Sequence, residues 1–324
     1  MIGVVGAGSW GTCVAHLIAA TGPVSLWARR DPLAQQINEQ RQNQAYLPGV
    51  ELSESVVATS DLAETLDADV VFVAVPTVGL TPAFLASLTA TRAPIVVSLI
   101  KGLGPNDRGR PSQLLADAVP HADVAVLSGP NLAGELGADM PGAAVIASAS
   151  SVACQVVQQL FAGTTLRVYS STDVVGVEIA GAAKNVLAIA AGMSDGLGFG
   201  VNTKAALLTR GIAEITRLGV AMGGQPQTFV GLAGVGDVIA TCMGAQSRNY
   251  RVGYQLGQGR QLQDIVGEMR QVAEGVATGP AIVRVAQQLG VEMPIATQVG
   301  SVLTGQATVA SAVRALFDRD LRSE

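Results

Sequence analysis

Lysine is scarce in this chain. Of 20 basic residues only Lys101, Lys184 and Lys204 are lysines, and every other cation is an arginine. Aromatic residues are few as well, at 4% of 324 residues, while glycine reaches 38. That balance argues against a β-sandwich and for tight turns and closely packed small-residue helices. Charged residues make up only 14% against 49% hydrophobic, which excludes a disordered chain and allows a large core. A net charge of −5 offers no electrostatic footprint for nucleic acid. Cysteine is limited to Cys13, Cys154 and Cys242, an odd number, far apart and in no C-x-x-C pair. Neither a disulfide framework nor a metal site is implied, and a reduced cytoplasm suits such a chain. Uncharged stretches do occur, at residues 1–28 and 140–166. Gly, Pro, Ser, Thr or Gln break both before a membrane span of about 20 apolar residues is reached. The N-terminus lacks the basic region of a signal peptide.

The chain does show a clear alternation. Short β-branched runs at Ile2–Val5, Val24–Trp27, Val70–Val75, Ile95–Leu99, Val124–Leu127, Ala144–Ile146 and Leu166–Tyr169 are separated by helical patterns. The runs are apolar throughout rather than alternating, as strands buried on both faces are. The expected fold is α/β, a doubly wound Rossmann-type parallel sheet over residues 1–178. Strand signals stop near Asp173, and helical patterns take over at 174–192, 203–222, 248–257, 279–289, 295–304 and 308–318. An all-helical C-terminal domain over 179–324 is therefore expected, carrying substrate and catalysis. Pro280, after Thr278-Gly279, reads as a helix start, and Gly290 stands just past the end of that helix.

The first strand leads into GAGSWG and a helical run. A bare G-x-G-x-x-G is weak, but after a first strand and opening a helix it is a dinucleotide-binding fingerprint. Gly6 permits the turn, Gly8 lets a pyrophosphate approach, and Gly11 allows close helix–strand packing. At the end of the second strand an acidic residue would grip the 2′-hydroxyl of NAD. Arg29 and Arg30 stand there instead, with Asp31 one step late. Guanidinium groups suit the 2′-phosphate of NADP, so NADPH is the favoured cofactor, with NAD left open.

Lys101 comes after the strand at Ile95–Leu99 and so lies at the edge where such sheets bind ligands; Ser128-Gly129-Pro130-Asn131 does likewise after the strand at Val124–Leu127. Reducing a carbonyl with hydride calls for a proton donor. His16, on the first helix, and His121, before a strand, read as structural. Lys184 is the candidate, a lone ammonium in the apolar run EIAGAAKNVLAIAAGM with Asn185 beside it. A lysine whose pKa is lowered by burial and neighbouring cations can serve near neutral pH. Asp237, at the end of GLAGVGD, could orient that ammonium. Ser247-Arg248-Asn249 could open a helix with Arg248 placed to pair with a phosphate.

Taken together, these motifs resemble bacterial-type NAD(P)-dependent glycerol-3-phosphate dehydrogenase almost end to end: GAGSWGT, NQAYLPGV, KGL, SGPNLAGEL, the stretch from Gly181 to Glu214, GLAGVGD, SRN and VAEG, in that order. The resemblance implies reversible reduction of dihydroxyacetone phosphate to sn-glycerol 3-phosphate, feeding phospholipid synthesis. It implies a small phosphorylated substrate as partner and allows a homodimer. It puts the proton donor on Lys184, and substrate contacts on Lys101, Gly129, Asn131, Lys184, Asp237, Ser247, Arg248 and Asn249. Cofactor contacts fall on Ser9, Trp10, Arg29, Arg30, Lys101, Ala133, Arg248, Val272 and Glu274, of which Val272 and Glu274 come from the resemblance alone. Departures from the family pattern are Asn131 for Ser or Thr, Gly104 for Glu, and Met243-Gly244 for a polar pair. Two other readings remain open here: another two-domain hydroxy-acid dehydrogenase, and an NADPH-sensing protein without turnover.

Overall fold

The computed structural model describes residues 1–104, 109–244, 246–269 and 271–318. They divide into two compact units, Met1–Glu178 and Ile179–Glu324. The first is built on eight strands: β1 (Ile2–Val5), β2 (Val24–Trp27), β3 (Val56–Thr59), β4 (Val70–Val73), β5 (Ile95–Ser98), β6 (Asp123–Ser128), β7 (Gly142–Ser148) and β8 (Leu166–Ser171). Their spatial order is β3-β2-β1-β4-β5-β6-β7-β8. Between them run α1 (Ser9–Ile18), α2 (Asp31–Gln40), α3 (Leu62–Leu66), α4 (Pro82–Leu88), α5 (Pro111–Ala118), α6 (Ala133–Gly137) and α7 (Ser151–Leu160). Helices cover both faces of the sheet, and β4 shows why its strands are apolar at every position. Val70 and Phe72 join one buried cluster, whereas Val71 and Val73 join the other. A side-chain period of two therefore leaves no polar face.

Two features of the sheet differ from the expectation. The run from β3 through β6 is parallel, but β7 pairs with β6 antiparallel. The connection, residues 129–141, holds only the five-residue α6, too little helix to carry the chain back along the sheet for a parallel return. Strand β3 was also not anticipated. It is a four-residue edge strand whose second residue, Val57, is exposed, so it lacks the unbroken apolar run of the central strands.

The helix α8 (Val174–Gly196) begins in the first unit and continues into the second. It is the one helix among the described residues long and apolar enough to cross a membrane, and 89% of its apolar window is buried inside the protein. The second unit continues with α9 (Val201–Ala221), α10 (Pro226–Phe229), α11 (Asp237–Cys242), α12 (Arg248–Gly257), α13 (Leu262–Gly267), α14 (Glu274–Gln288), α15 (Pro294–Leu303) and α16 (Val309–Phe317). Pro280 does not start its helix. It lies inside α14, which opens at Glu274, because the earlier turn EGVATG is itself helical and ties its Gly275 N–H to the Asn249 side chain. Gly290 does lie just past that helix, in the left-handed conformation (φ +65°) that glycine tolerates.

Glycine sets how α8 meets α12. A Cβ at Gly253 would run into the Ile189 carbonyl, and one at Gly257 would lie 2.6 Å from the Met193 carbonyl oxygen. Cβ atoms at Gly192 and Gly196 would collide with the carbonyls of Tyr250 and Tyr254. The side chains of Asn249 and Asn185 bond 64 positions apart, and the pairs Gly253–Ile189 and Gly257–Met193 keep that same offset. Contacts that rise together at a constant offset mean two helices running parallel and in step, backbone against backbone. Replacing Gly253 with Ala adds a methyl group where a carbonyl already sits. It is expected to lower stability by about 1–3 kcal/mol, read as an earlier denaturation midpoint at unchanged slope. A midpoint equal to the parent's would contradict the close approach.

Candidate active site

In the first unit, the sheet order decides what shares an edge. Because β2, β1, β4, β5 and β6 are parallel neighbours, the loops after them all leave from one side. Across that side lie Arg29 and Arg30 after β2, the glycine turn after β1, Lys101 after β5 and Gly129 to Asn131 after β6. The order reverses between β1 and β4, the crevice where open α/β sheets bind their ligands.

Each glycine of the turn has its own physical reason. Gly6 adopts φ +124°, and a Cβ there would lie 2.9 Å from the Ala74 carbonyl oxygen. A Cβ on Gly11 would collide with the Gly6 carbonyl, so α1 can approach β1 only without one. Gly8 is different: a Cβ there would meet nothing within 4 Å. The protein has no packing need for glycine at that position, and a side chain there would fill open space at the start of α1. Gly8 precedes α1 without a side-chain cap, so the first-turn N–H groups from Ser9 onward lack intrahelical acceptors and can take an anion. The Trp10 indole Nε1 is buried with no partner. These observations fit a dinucleotide with its pyrophosphate over the turn.

Asn43 braces the turn from behind and was not singled out in the sequence. Its Nδ2 donates to the Ala7 carbonyl at 2.9 Å and to Thr12 Oγ1 at 2.8 Å, fully buried. Its position in NQAYLPGV was the only available signal. Arg29 and Arg30 are exposed beyond β2, and Arg30 approaches the Tyr46 hydroxyl at 3.4 Å. Asp31 instead accepts from Gln35 of its own helix at 2.6 Å and from Ser60 at 2.9 Å. The Lys101 ammonium donates to the Gly129 carbonyl at 2.9 Å and to Asn131 Oδ1 at 2.5 Å. Asn131 is buried, and its Nδ2 has no partner. Ala133 opens α6 and packs against the core under α1.

In the second unit Lys184 lies on α8 with its side chain 8% exposed. Its Nζ donates to Asp237 Oδ1 at 2.7 Å and to Thr241 Oγ1 at 2.6 Å, and Thr241 also bonds Asp237 at 3.2 Å. Asp237, which the sequence suggested could orient this ammonium, is the carboxylate bonded to it. Asp237 arrives through a wide turn, Leu232–Gly236, closed by the Gly236 N–H on the Gly231 carbonyl. Thr241 stands one helical turn later on α11 and was missed, since a threonine in DVIATC carries no distinguishing pattern.

The next residue on α8, Asn185, accepts from Asn249 at 2.9 Å, and Asn249 in turn accepts from the Gly275 N–H at 2.9 Å. Ser247 caps α12 by accepting from the Tyr250 N–H at 3.2 Å. Arg248 is the first residue of that helix and is half-buried. Burial pushes its guanidinium below the ordinary value, and the nearby Glu274 carboxylate opposes the shift. Val272 stands just before α14 and is 44% exposed. Lys184 and Arg248 differ by the same 64 positions that pair Asn185 with Asn249, so the in-step helices bring these two cations level.

The sheet reversal and its glycine turn define a class, the two-domain dehydrogenases that use a nicotinamide dinucleotide. Within it, this chain belongs to the NAD-dependent glycerol-3-phosphate dehydrogenase family. The family's N-terminal region matches residues 1–154 and its C-terminal region residues 173–314. The chain is 46% identical over 329 residues to a glycerol-3-phosphate dehydrogenase [NAD(P)+] of Geobacter sp. strain M21, covering all of this chain and 98% of that one. A relative with the same description in Geobacter sulfurreducens is 47% identical over 330 residues, with the same coverage. The crystal structure of glycerol-3-phosphate dehydrogenase from Coxiella burnetii superposes with a TM-score of 0.92 at 34% identity, covering 98% of each chain.

The three cysteines are free and buried. Burial pushes the Cys242 thiol up to about 12, with Lys184 opposing and Asp237 assisting, and burial takes Cys13 to about 12 as well. Cys154 is raised by burial too. The nucleophile in thiol chemistry is the thiolate. At pH 8, below all three values, the native protein should react slowly with a disulfide reagent and show three thiols once unfolded in guanidinium. Fast labelling of native Cys242 would contradict its burial beside Lys184.

Proposed function

We propose that the chain catalyses reversible reduction of dihydroxyacetone phosphate to glycerol 3-phosphate, with the first unit binding the dinucleotide and the second acting on the substrate. The observation that carries the reading is the pair of cations on in-step helices. Lys184 is buried and bonded to Asp237 and Thr241, while Arg248 stands level with it at the opening of α12. One cation is held for proton transfer, and the other is half-buried with only partial compensation from Glu274, so an incoming phosphate would relieve its lost hydration.

A bound nicotinamide dinucleotide supplies the hydride. The chain's own residues do the rest. An ammonium has three N–H bonds; Asp237 and Thr241 take two of those on Lys184 and leave one for the substrate oxygen. Lys184 thus delivers a proton as that oxygen becomes an alkoxide, and in the reverse direction the neutral amine accepts it. Asp237 holds the ammonium in place. Arg248, Asn249 and the free N–H groups at the start of α12 grip the phosphate, turning remote binding into orientation of the carbonyl. Lys101, fixed by Gly129 and Asn131, adds positive charge beside the dinucleotide, and the unpartnered Asn131 Nδ2 offers one more donor.

NADPH is the favoured cofactor in this reading. With the exposed Asp31 engaged by Gln35 and Ser60, Arg29 and Arg30 are the exposed cations beyond β2, and they suit a 2′-phosphate. Free thiols suit a cytoplasmic site of action, where the product would enter phospholipid synthesis. A dehydrogenase of hydroxy acids on the same architecture would have no use for a phosphate anchor at Arg248, and a chain built only to sense NADPH would need neither Lys184 nor Asp237.

Watching NADPH absorbance with and without dihydroxyacetone phosphate tests the reaction directly, and no oxidation would end the proposal. Lys184→Ala should lower kcat by about 10²–10⁴-fold while NADPH binding stays within twofold; equal loss of both would make the residue structural. Arg248→Ala should raise KM for the phosphate ester by about 10–100-fold, and an unchanged KM would remove it from the site. Joint replacement of Arg29 and Arg30 with Ala should cut the NADPH-to-NADH ratio of kcat/KM by about tenfold or more. A ratio left as it was would show that the 2′-phosphate is held elsewhere.

A further inference from the structure

Of the three lysines, the reaction uses Lys101 and Lys184 and leaves Lys204 without a task. Lys204 lies in the first turn of α9, and its Nζ bonds Asp195 Oδ2 at 2.5 Å. The same oxygen accepts the Tyr250 hydroxyl, and the Lys204 ammonium stands 5.6 Å from the centre of the Tyr250 ring. Both charged side chains are largely covered, at 23% and 18% exposed. Three helices thus meet in one cluster: α9 through Lys204, α8 through Asp195, and α12 through Tyr250.

Tyr250 is two residues past Arg248, in the first turn of α12. The contact of α12 with α8 further along is glycine against backbone. It brings the helices close and, with Val252 and Leu256 buried, holds the body of α12 in place. At the N-terminal end of α12, ahead of those glycines, the contacts are polar. Asn249 is pinned to Asn185 and Gly275 on one side, and Tyr250 is pinned to Asp195 under Lys204. Burial and the Asp195 carboxylate push the Tyr250 phenol up to about 12, so it remains a donor throughout the neutral range. Asp195 is eleven residues past Lys184 on α8, about three turns, so the cluster and the reacting lysine hang from one face of a single helix.

We propose that Lys204 is a positioning residue for substrate specificity: with Asp195 and Tyr250 it fixes the first turn of α12 and thereby the aim of Arg248 at the phosphate of the substrate. The inference rests on the reading of Arg248 as the phosphate anchor. An ammonium answers both needs at once, a strong bond to Asp195 and attraction to the ring face. Arginine can meet the same two partners; methionine keeps the length of the stem and loses both.

The test compares the full-length parent with Lys204→Met, Lys204→Arg and Tyr250→Phe, using dihydroxyacetone phosphate and unphosphorylated dihydroxyacetone as substrates. NADPH affinity by fluorescence and the denaturation midpoint are measured alongside. Lys204→Met is expected to raise KM for the phosphate ester by about tenfold with kcat and NADPH affinity within twofold. Its kcat/KM for unphosphorylated dihydroxyacetone should stay at the parent's value, since that substrate does not use the anchor. Tyr250→Phe should move in the same direction, and Lys204→Arg should recover most of the loss. An unchanged KM in Lys204→Met, or equal losses on both substrates, would overturn the proposal. A parent enzyme that fails to prefer the phosphorylated substrate would instead overturn the reading of Arg248, so the two failures are told apart.

Discussion

The second unit depends on a contact that has almost no side chain in it. Helices α8 and α12 run parallel and in step because Gly192, Gly196, Gly253 and Gly257 let backbone meet backbone. Such contact fixes register more tightly than interleaved leucines would, since a slip of one residue would drive a Cβ into a carbonyl. Register matters to the proposed chemistry. It sets Lys184–Asn185 level with Arg248–Asn249, so the group proposed to move a proton and the group proposed to hold an anion are spaced by helix geometry and not by a loop. Gly192 and Gly196, in a helix whose composition is easily taken for flexible or membrane-seeking, are requirements of that approach.

The same logic governs the glycine turn of the first unit, with one informative difference. Gly6 and Gly11 are glycines because protein atoms crowd them; Gly8 is a glycine although nothing crowds it. Where the fold imposes no steric demand and the residue is nonetheless the smallest one, the space belongs to something other than the protein. The first-turn N–H groups of α1 begin beside that space. Asn43 commits its two donor bonds to the turn's own carbonyl and to Thr12, which keeps the turn shaped in advance of binding and reduces the ordering cost when a dinucleotide arrives.

Much of this was legible in the sequence, and the gaps have physical causes. Unbroken apolar runs declared the buried strands, and the helical periods beyond Asp173 declared the change of class. Strand β3 escaped because an edge strand with an exposed Val57 lacks that run. The reversal of β7 escaped because periodicity reports which face is buried and says nothing about direction. Pro280 misled because proline is usual at a helix start, whereas here a turn anchored by Asn249 had already begun α14. Lys184 stood out as one charge in an apolar run. Thr241, which bonds that lysine, and Asn43, which braces the glycine turn, are ordinary polar residues whose importance lies wholly in the groups the fold sets opposite them.

The few lysines share a feature. Every lysine ends on more than one acceptor or π face: Lys101 on Gly129 and Asn131, Lys184 on Asp237 and Thr241, Lys204 on Asp195 beside the Tyr250 ring. An ammonium directs three N–H bonds around one small centre, so it can join groups converging from different elements at a point. A guanidinium offers a flat fork that suits a carboxylate or phosphate, and Arg110 meets Glu178 at 2.7 Å while also bonding Ser112. Arginine can also join several acceptors, as Arg41 does with the carbonyls of Leu52, Ser53 and Val56. What a guanidinium does not offer is a proton it can give up near neutral pH, and that is the demand the proposed reaction places on Lys184.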